Sequence, residues 1–267
     1  MKISFIGGGN MAGALVAGLA GAHSIHVVDP KAEALQRLQQ QYGISSATGA
    51  DAQICESDVV VLAVKPQQMR SVAEGLGALL AVRQPLVLSI AAGIRAVDLA
   101  RWLGGYGKIV RTMPNTPALV GKGMTGLVAM DGVDAAHKQM AEDIMRAVGQ
   151  VVWLEREDLI DPVTAVSGSG PAYVFYFIEA MVQAAEEMGL TAEQGRQMAI
   201  ATFEGAAALA AASHEPVSVL RERVTSKGGT TYAALTSMEA SGVKDAIIKA
   251  MKAAAARGKE LGEEMGG

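Results

Sequence analysis

Residues 2–12 read Lys2-Ile3-Ser4-Phe5-Ile6-Gly7-Gly8-Gly9-Asn10-Met11-Ala12, and this stretch decides the fold. A short, mostly apolar run at 3–6 has the length of a buried strand. Three glycines stop it, and beyond them Leu15, Val16 and Leu19 recur at helical spacing. The order is strand, tight turn, helix. Gly7, Gly9 and Ala12 fit the spacing G-x-G-x-x-A of a dinucleotide-binding turn. The first glycine makes the turn, the second lets a pyrophosphate approach where a Cβ would collide, and Ala12 keeps helix and strand close. The helix start then presents unpaired N–H groups and the positive end of its dipole to the phosphates.

Alone, this pattern also fits an ordinary strand-to-helix turn. The context favours a nucleotide. A second strand at 25–28 ends in Asp29, 22 positions after Gly7. That is close to the offset of about 20 expected for a carboxylate that binds ribose hydroxyls.

The 267 residues suit one large domain or two ordinary ones. Alanine, glycine and methionine are abundant and aromatics few, which favours closely packed helices over a β-sandwich. A net charge of −4 advertises no basic face for nucleic acid. Cys55, the single cysteine, excludes an internal disulfide framework. No signal peptide is visible, and no uninterrupted apolar run reaches the roughly 20 residues of a membrane span. The expectation is a cytoplasmic protein without nucleic-acid or membrane partners.

Helices are expected at 31–42, 66–82, 97–103 and 134–148, and strands at 58–64, 86–90, 108–112, 125–130 and 150–154. Strands alternate with helices, the pattern of a doubly wound, mostly parallel sheet. Beyond 157 the strand signals stop and helical segments run at 158–166, 171–188, 192–212, 216–224, 230–241 and 243–264. The chain is therefore divided into a dinucleotide-binding domain, 1–157, and an all-helical domain, 158–267. Tyr173, Val174, Phe175, Tyr176, Phe177 and Ile178 are consecutive, so their helix is apolar on every side. About 110 residues are too few to enclose it, and a second subunit is expected to supply the cover.

Two glycine-rich stretches punctuate the helical half. One is Ser167-Gly168-Ser169-Gly170-Pro171; the other runs Val224-Thr225-Ser226-Lys227-Gly228-Gly229-Thr230-Thr231. Each sets hydroxyls and backbone N–H groups at a helix start and so reads either as an anion cradle or as a capped turn. The second carries four hydroxyls between 225 and 231, more than a cap needs. None of His23, His26, His137 and His214 falls in such a motif. No His–Asp pair of the dehydrogenase kind, metal-ligand cluster or nucleophile elbow is apparent, so no metal is expected. A nucleotide-dependent reaction would need little proton chemistry from side chains. Reduction of an imine fits, because a protonated imine is already electrophilic.

In order along the chain, IGGGNMA, LAVKPQ, SIAAG, RTMPNTP, VSGSGPAYVF and VTSKGGTT resemble the pyrroline-5-carboxylate reductases, over nearly the whole length. The resemblance implies NAD(P)H-dependent reduction of 1-pyrroline-5-carboxylate to L-proline, the last step of proline synthesis. It also implies an N-terminal Rossmann-like doubly wound α/β domain and an all-α substrate and dimerisation domain, with dimers joined into larger rings in some members. By the same resemblance Ile6, Gly7, Gly8, Gly9, Asn10, Met11 and Ala12 hold the pyrophosphate. Ala63, Val64, Lys65 and Pro66, with Ala91, Ala92 and Gly93, line the dinucleotide cleft, and Asn115 lies near the nicotinamide. Backbone N–H groups of Gly229, Thr230 and Thr231 bind the substrate carboxylate. The Thr231 hydroxyl sits near the ring nitrogen, and Ser226 lines the same pocket. Other members have proline where this chain has Lys227, which is not assigned a role. Asp29 favours NADH and would repel a 2′-phosphate, whereas Lys31 offsets its charge and the resemblance inclines to NADPH. Both cofactors stay open. A hydroxyacid dehydrogenase of similar build would want a lysine in the helix after SGSGP, and AYVFYFIEAM has none. A non-catalytic redox sensor would leave the hydroxyl-rich turn unexplained.

Overall fold

The computed structural model describes residues 1–266, so Gly267, the last residue of the expected all-helical domain 158–267, lies outside the described residues. In chain order the elements of the first half are β1 (Lys2–Ile6), α1 (Asn10–Leu19), β2 (Ser24–Val28), α2 (Ala32–Tyr42), β3 (Ser45–Ala47) and β4 (Val59–Leu62). There follow α3 (Pro66–Arg83), β5 (Leu86–Ser89), α4 (Ala96–Trp102), β6 (Ile109–Met113), β7 (Gly123–Ala129), α5 (Ala135–Arg146) and β8 (Gly149–Trp153). The eight strands form one sheet in the order β3-β2-β1-β4-β5-β6-β7-β8. Only the β6–β7 pair is antiparallel. The first six strands have the doubly wound order, with the switch point between β1 and β4.

β4 and β5 are buried along their whole length because helices cover both faces. Strand alternation sends Ile3 and Phe5 to one face, where they pack with Leu15 and Val16 of α1, Leu35 of α2 and Ile144 of α5. Ile6, Val60 and Leu62 pack on the other with Met69 and Leu76 of α3 and Leu99 and Trp102 of α4. Pro66 opens α3 at the position where a missing N–H costs nothing. β3 was not expected. Its sequence, Ser-Ser-Ala, has no strand pattern, and it forms by pairing in parallel with β2.

The helical half contains α6 (Ile160–Val163), a π-helical turn at Thr164–Gly168, then α7 (Gly170–Glu187), α8 (Ala192–Ala212), α9 (Val217–Arg223), α10 (Thr230–Ala240) and α11 (Val243–Met265). The chain forms two compact units, Gly170–Lys252 and the remainder. The sequence reading divided it at 157/158, whereas the structural break falls after Ser169. Residues from Ala253 onward return to the first unit. There Leu261 lies against Gly93, Gly258 against Asp161, and Met265 packs on the α3–α4 cluster.

Within Gly170–Lys252, α7 and α8 form an antiparallel pair. Gly195 permits their close approach, since a Cβ there would stand 2.9 Å from that of Ala185. Thr191 and Gln194 form a reciprocal capping box at the start of α8. Ala185, Gly195 and Ala199 are the only buried residues among those described in this unit. Phe175, Tyr176 and Met188 are 65%, 72% and 77% exposed. The all-round apolar helix expected from the sequence is present; α8 packs on one side of it, and Phe175 and Tyr176 are left exposed by the chain itself.

Candidate functional site

The parallel strands β2, β1, β4, β5 and β6 are neighbours, so their C-terminal ends share one edge of the sheet. That edge brings together Asp29, the glycine turn, Ala63 to Pro66, Ala91 to Gly93 and the loop through Asn115, which are far apart in sequence. At the turn Gly7 has φ +107°, and a Cβ on it would lie 2.6 Å from the Ala63 carbonyl oxygen. Both the conformation and the space demand glycine. The Gly7 N–H donates to Val28 O at 2.7 Å, which ties the turn to β2.

Gly9 is exposed, a Cβ on it would meet no heavy atom within 4 Å, and no side chain caps α1 there. Open space in front of an uncapped helix start is what a pyrophosphate needs, so these residues fit a dinucleotide. Ala12 is buried at the helix–sheet contact, as its place in the fingerprint requires. The Asp29 carboxylate accepts the Gly8 N–H at Oδ2, 2.7 Å, and the Lys31 N–H at Oδ1, 2.8 Å. Lys65 precedes α3 as its cap residue and is exposed; Ala92 is exposed and Gly93 part-buried at the end of β5.

Asn115 is buried, with both ends of its amide engaged. Oδ1 accepts the Met124 N–H at 2.9 Å, and Nδ2 donates to the Ser167 carbonyl at 3.0 Å. It fastens the loop after β6 to β7 and to the π-helical turn, a bracing role that spacing does not reveal. Sequence reasoning also missed Arg111. Buried on β6, it donates from Nη1 to Glu157 Oε1 at 2.7 Å. The same oxygen accepts the Ala96 N–H at 2.6 Å and so caps α4 from outside. No sequence signal links residues 46 apart.

In the second unit, Thr225 to Thr231 form a tight turn ahead of α10. Thr225 Oγ1 donates to Arg221 O at 2.6 Å, Gly228 has φ +74°, and the Gly229 N–H donates to Ser226 O at 3.0 Å. One of the three amides expected to hold a carboxylate is thus used inside the turn. No side chain caps α10, which begins at Thr230. Thr231 is part-buried, while Ser226 and Lys227 are exposed.

None of the histidines falls within these stretches, yet two do approach aspartates. His137 Nδ1 is 2.8 Å from Asp134 Oδ1 at the start of α5, and His26 Nε2 is 3.2 Å from Asp51. The first is the exposed cap of a helix, the second a link at the β2–β3 edge. Neither belongs to a glycine-rich turn.

Comparison with known proteins adds an independent line. A family model described as pyrroline-5-carboxylate reductase dimerisation matches residues 157–261, and one described as NADP oxidoreductase, coenzyme F420-dependent, matches residues 2–93. The pyrroline-5-carboxylate reductase of Pseudomonas aeruginosa is 43% identical, with 99% of this chain and 98% of that protein covered. A solved pyrroline-5-carboxylate reductase from Coxiella burnetii is 42% identical with a TM-score of 0.92, covering 97% of each chain. The Plasmodium falciparum enzyme, solved with NADP bound, is 30% identical with a TM-score of 0.86 and covers 98% of each chain.

Proposed function

The chain belongs to the pyrroline-5-carboxylate reductase family, and we propose how its residues divide the work of an NAD(P)H-dependent reduction of 1-pyrroline-5-carboxylate to L-proline, the last step of proline synthesis. The observation that carries the division is the pair of helix starts, at Gly9 and at Gly229, that follow glycine-rich turns and have no side-chain cap. Each offers fixed N–H donors to an anion.

At Gly9 the anion is the pyrophosphate, held by Ile6, Gly7, Gly8, Gly9, Asn10, Met11 and Ala12. Ala63, Val64, Lys65, Pro66, Ala91, Ala92 and Gly93 support the rest of the dinucleotide along the strand ends. Asp29 marks the adenine-ribose corner, and Asn115 shapes the loop at the nicotinamide end. When bound, the reduced nicotinamide supplies the hydride. The resemblance favours NADPH as the physiological donor.

At Gly229 the anion is the substrate carboxylate. The Thr230 and Thr231 amides do most of the holding, because the Gly229 N–H already serves Ser226. These donors lose no side-chain entropy on binding. With the carboxylate fixed, the Thr231 hydroxyl reaches the ring nitrogen, orients the ring and relays a proton, and Ser226 lines the pocket. A protonated imine needs no stronger acid, so placement supplies most of the rate.

We further propose a homodimer that covers α7, with dimers assembling into a larger ring as the resemblance implies. Among the described residues no helix is long and apolar enough to cross a membrane. We place the enzyme in the cytoplasm. The test is loss of reduced-nicotinamide absorbance with a panel of cyclic imino acids and hydroxyacids. Turnover of pyrroline-5-carboxylate is expected. Turnover of a hydroxyacid instead would overturn the assignment.

A further inference from the structure

Resting on the cofactor reading above, we infer that Asp29 is a positioning residue that shapes the glycine turn for either cofactor and does not choose between NADPH and NADH. An acid at the end of the second strand is usually read as a ribose ligand and hence as a selector against a 2′-phosphate. Here each carboxylate oxygen already accepts one backbone N–H of the chain, so part of its hydrogen-bonding capacity serves the turn itself. Oδ2 takes the N–H of Gly8, and Oδ1 takes the N–H of Lys31, at 2.7 and 2.8 Å. The two donors belong to different loops, the β1–α1 turn and the β2–α2 turn. One side chain therefore fixes one loop against the other.

Gly8 is buried. Without Asp29 its N–H would lose its acceptor inside the protein, and the turn would shift to recover one. That turn carries the donors for the pyrophosphate, which NADH and NADPH share. The Gly7 N–H is tied to Val28 O at 2.7 Å, so two successive amides of the turn are set by β2 and its end. The chemistry also demands a carboxylate. Both partners are donors, and an amide at this place would turn its NH2 toward one of them.

The charge argument points the same way. A carboxylate that faces two backbone N–H dipoles has its field partly answered, and the exposed Lys31 side chain starts two residues on. A 2′-phosphate therefore meets less repulsion than a free acid would exert.

The experiment compares wild type with Asp29→Asn, Asp29→Ser and Asp29→Glu. Binding of ADP-ribose and of its 2′-phosphorylated form is measured by calorimetry, with no hydride transfer involved. Steady-state kinetics with NADH and NADPH follow, and hydrogen exchange of the turn is read in the free protein. The inference expects all three variants to lose about tenfold or more for both ligands, equally within about threefold, the loss of one charge-assisted contact. Exchange at Gly8 should speed up, and KM for pyrroline-5-carboxylate should move less than about twofold. Asp29→Glu separates the readings most sharply, because a ribose selector tolerates Glu and a brace of fixed length does not. It also stands in if the shorter variants fail to fold. A tenfold swing of the ratio toward the 2′-phosphorylated ligand in Asp29→Ser, or unchanged affinity for both ligands in Asp29→Glu, overturns the inference. Failure of wild type to bind either nucleotide defeats the cofactor reading itself.

Discussion

The Glu157 carboxylate holds the buried Arg111 guanidinium through a 2.7 Å hydrogen bond, with side chains 30% and 5% exposed respectively. The same oxygen caps α4 at Ala96. Among the described residues Arg111 Nε has no hydrogen-bond acceptor. Removing Glu157 would therefore take from a buried cation its hydrogen-bonded carboxylate and uncap a helix together. Glu157→Ala is expected to cost about 3 kcal/mol, in the range for breaking one side of a buried pair. Arg111→Met with Glu157→Met should be less damaging than Glu157→Ala, because no charge is left behind. Urea denaturation of the variants checks the order. Equal losses would mean that the ion pair contributes through packing alone.

Asp161 lies beside this pair, and burial pushes its carboxyl above the usual carboxylate range. Arg111 pulls it back, while Glu157 and Asp158 push it further up. The net direction is upward, so the folded state binds that proton more tightly than the unfolded chain does. The group costs nothing below its unfolded pKa; the cost grows as pH rises from the unfolded to the folded pKa and levels off above the folded value. Asp161→Asn should raise the thermal midpoint at about pH 7, with the gain vanishing near pH 3, below the ordinary Asp value of about 3.9. Scanning calorimetry across that range decides it. A gain independent of pH would remove ionisation from the explanation.

Thr231→Ala should lower kcat/KM for pyrroline-5-carboxylate by roughly 10- to 1000-fold, about 1.4–4 kcal/mol, as for one positioned polar contact. NADPH affinity should barely change. Thr231→Ser keeps the hydroxyl and should keep most activity. Wild-type efficiency in the alanine variant would reduce Thr231 to the first turn of a helix.

Phe175→Glu places a charge on the uncovered face of α7, where the chain itself already leaves Phe175 exposed. If that face is open in solution the change is harmless. If a second copy covers it, an unpaired carboxylate becomes buried at a cost of several kcal/mol. The expectation is a dimer or larger assembly for wild type by analytical ultracentrifugation at about micromolar concentration, and a monomer or unfolded chain for the variant. A monomeric wild type would end this reading.

The sheet was legible because strands such as Val59–Leu62, buried on both faces, carry an unbroken apolar signal that punctuating glycines and prolines delimit. β3 was not, because Ser45, Ser46 and Ala47 become a strand only by pairing with β2. The glycine turn and the hydroxyl-rich turn were found as stretches, since their composition is local. What their atoms bond to was not found. The Asp29 bonds to Gly8 and Lys31, the Gly229 bond to Ser226 and the double engagement of Asn115 all depend on geometry. Arg111 and Glu157 carried no pattern, because a charged pair formed across 46 positions leaves no period in the sequence.

The last stretch of α11, from Ala253 onward, packs with the unit that begins at residue 1. During synthesis Gly93 and Asp161 therefore gain these neighbours only after Gly258 and Leu261 have left the ribosome. The stretch up to Ser169 and the stretch from Ala253 onward therefore complete one unit together. Proteolytic clipping after Lys252, which a linear map would score as damage to the helical segment, would strike the half made first.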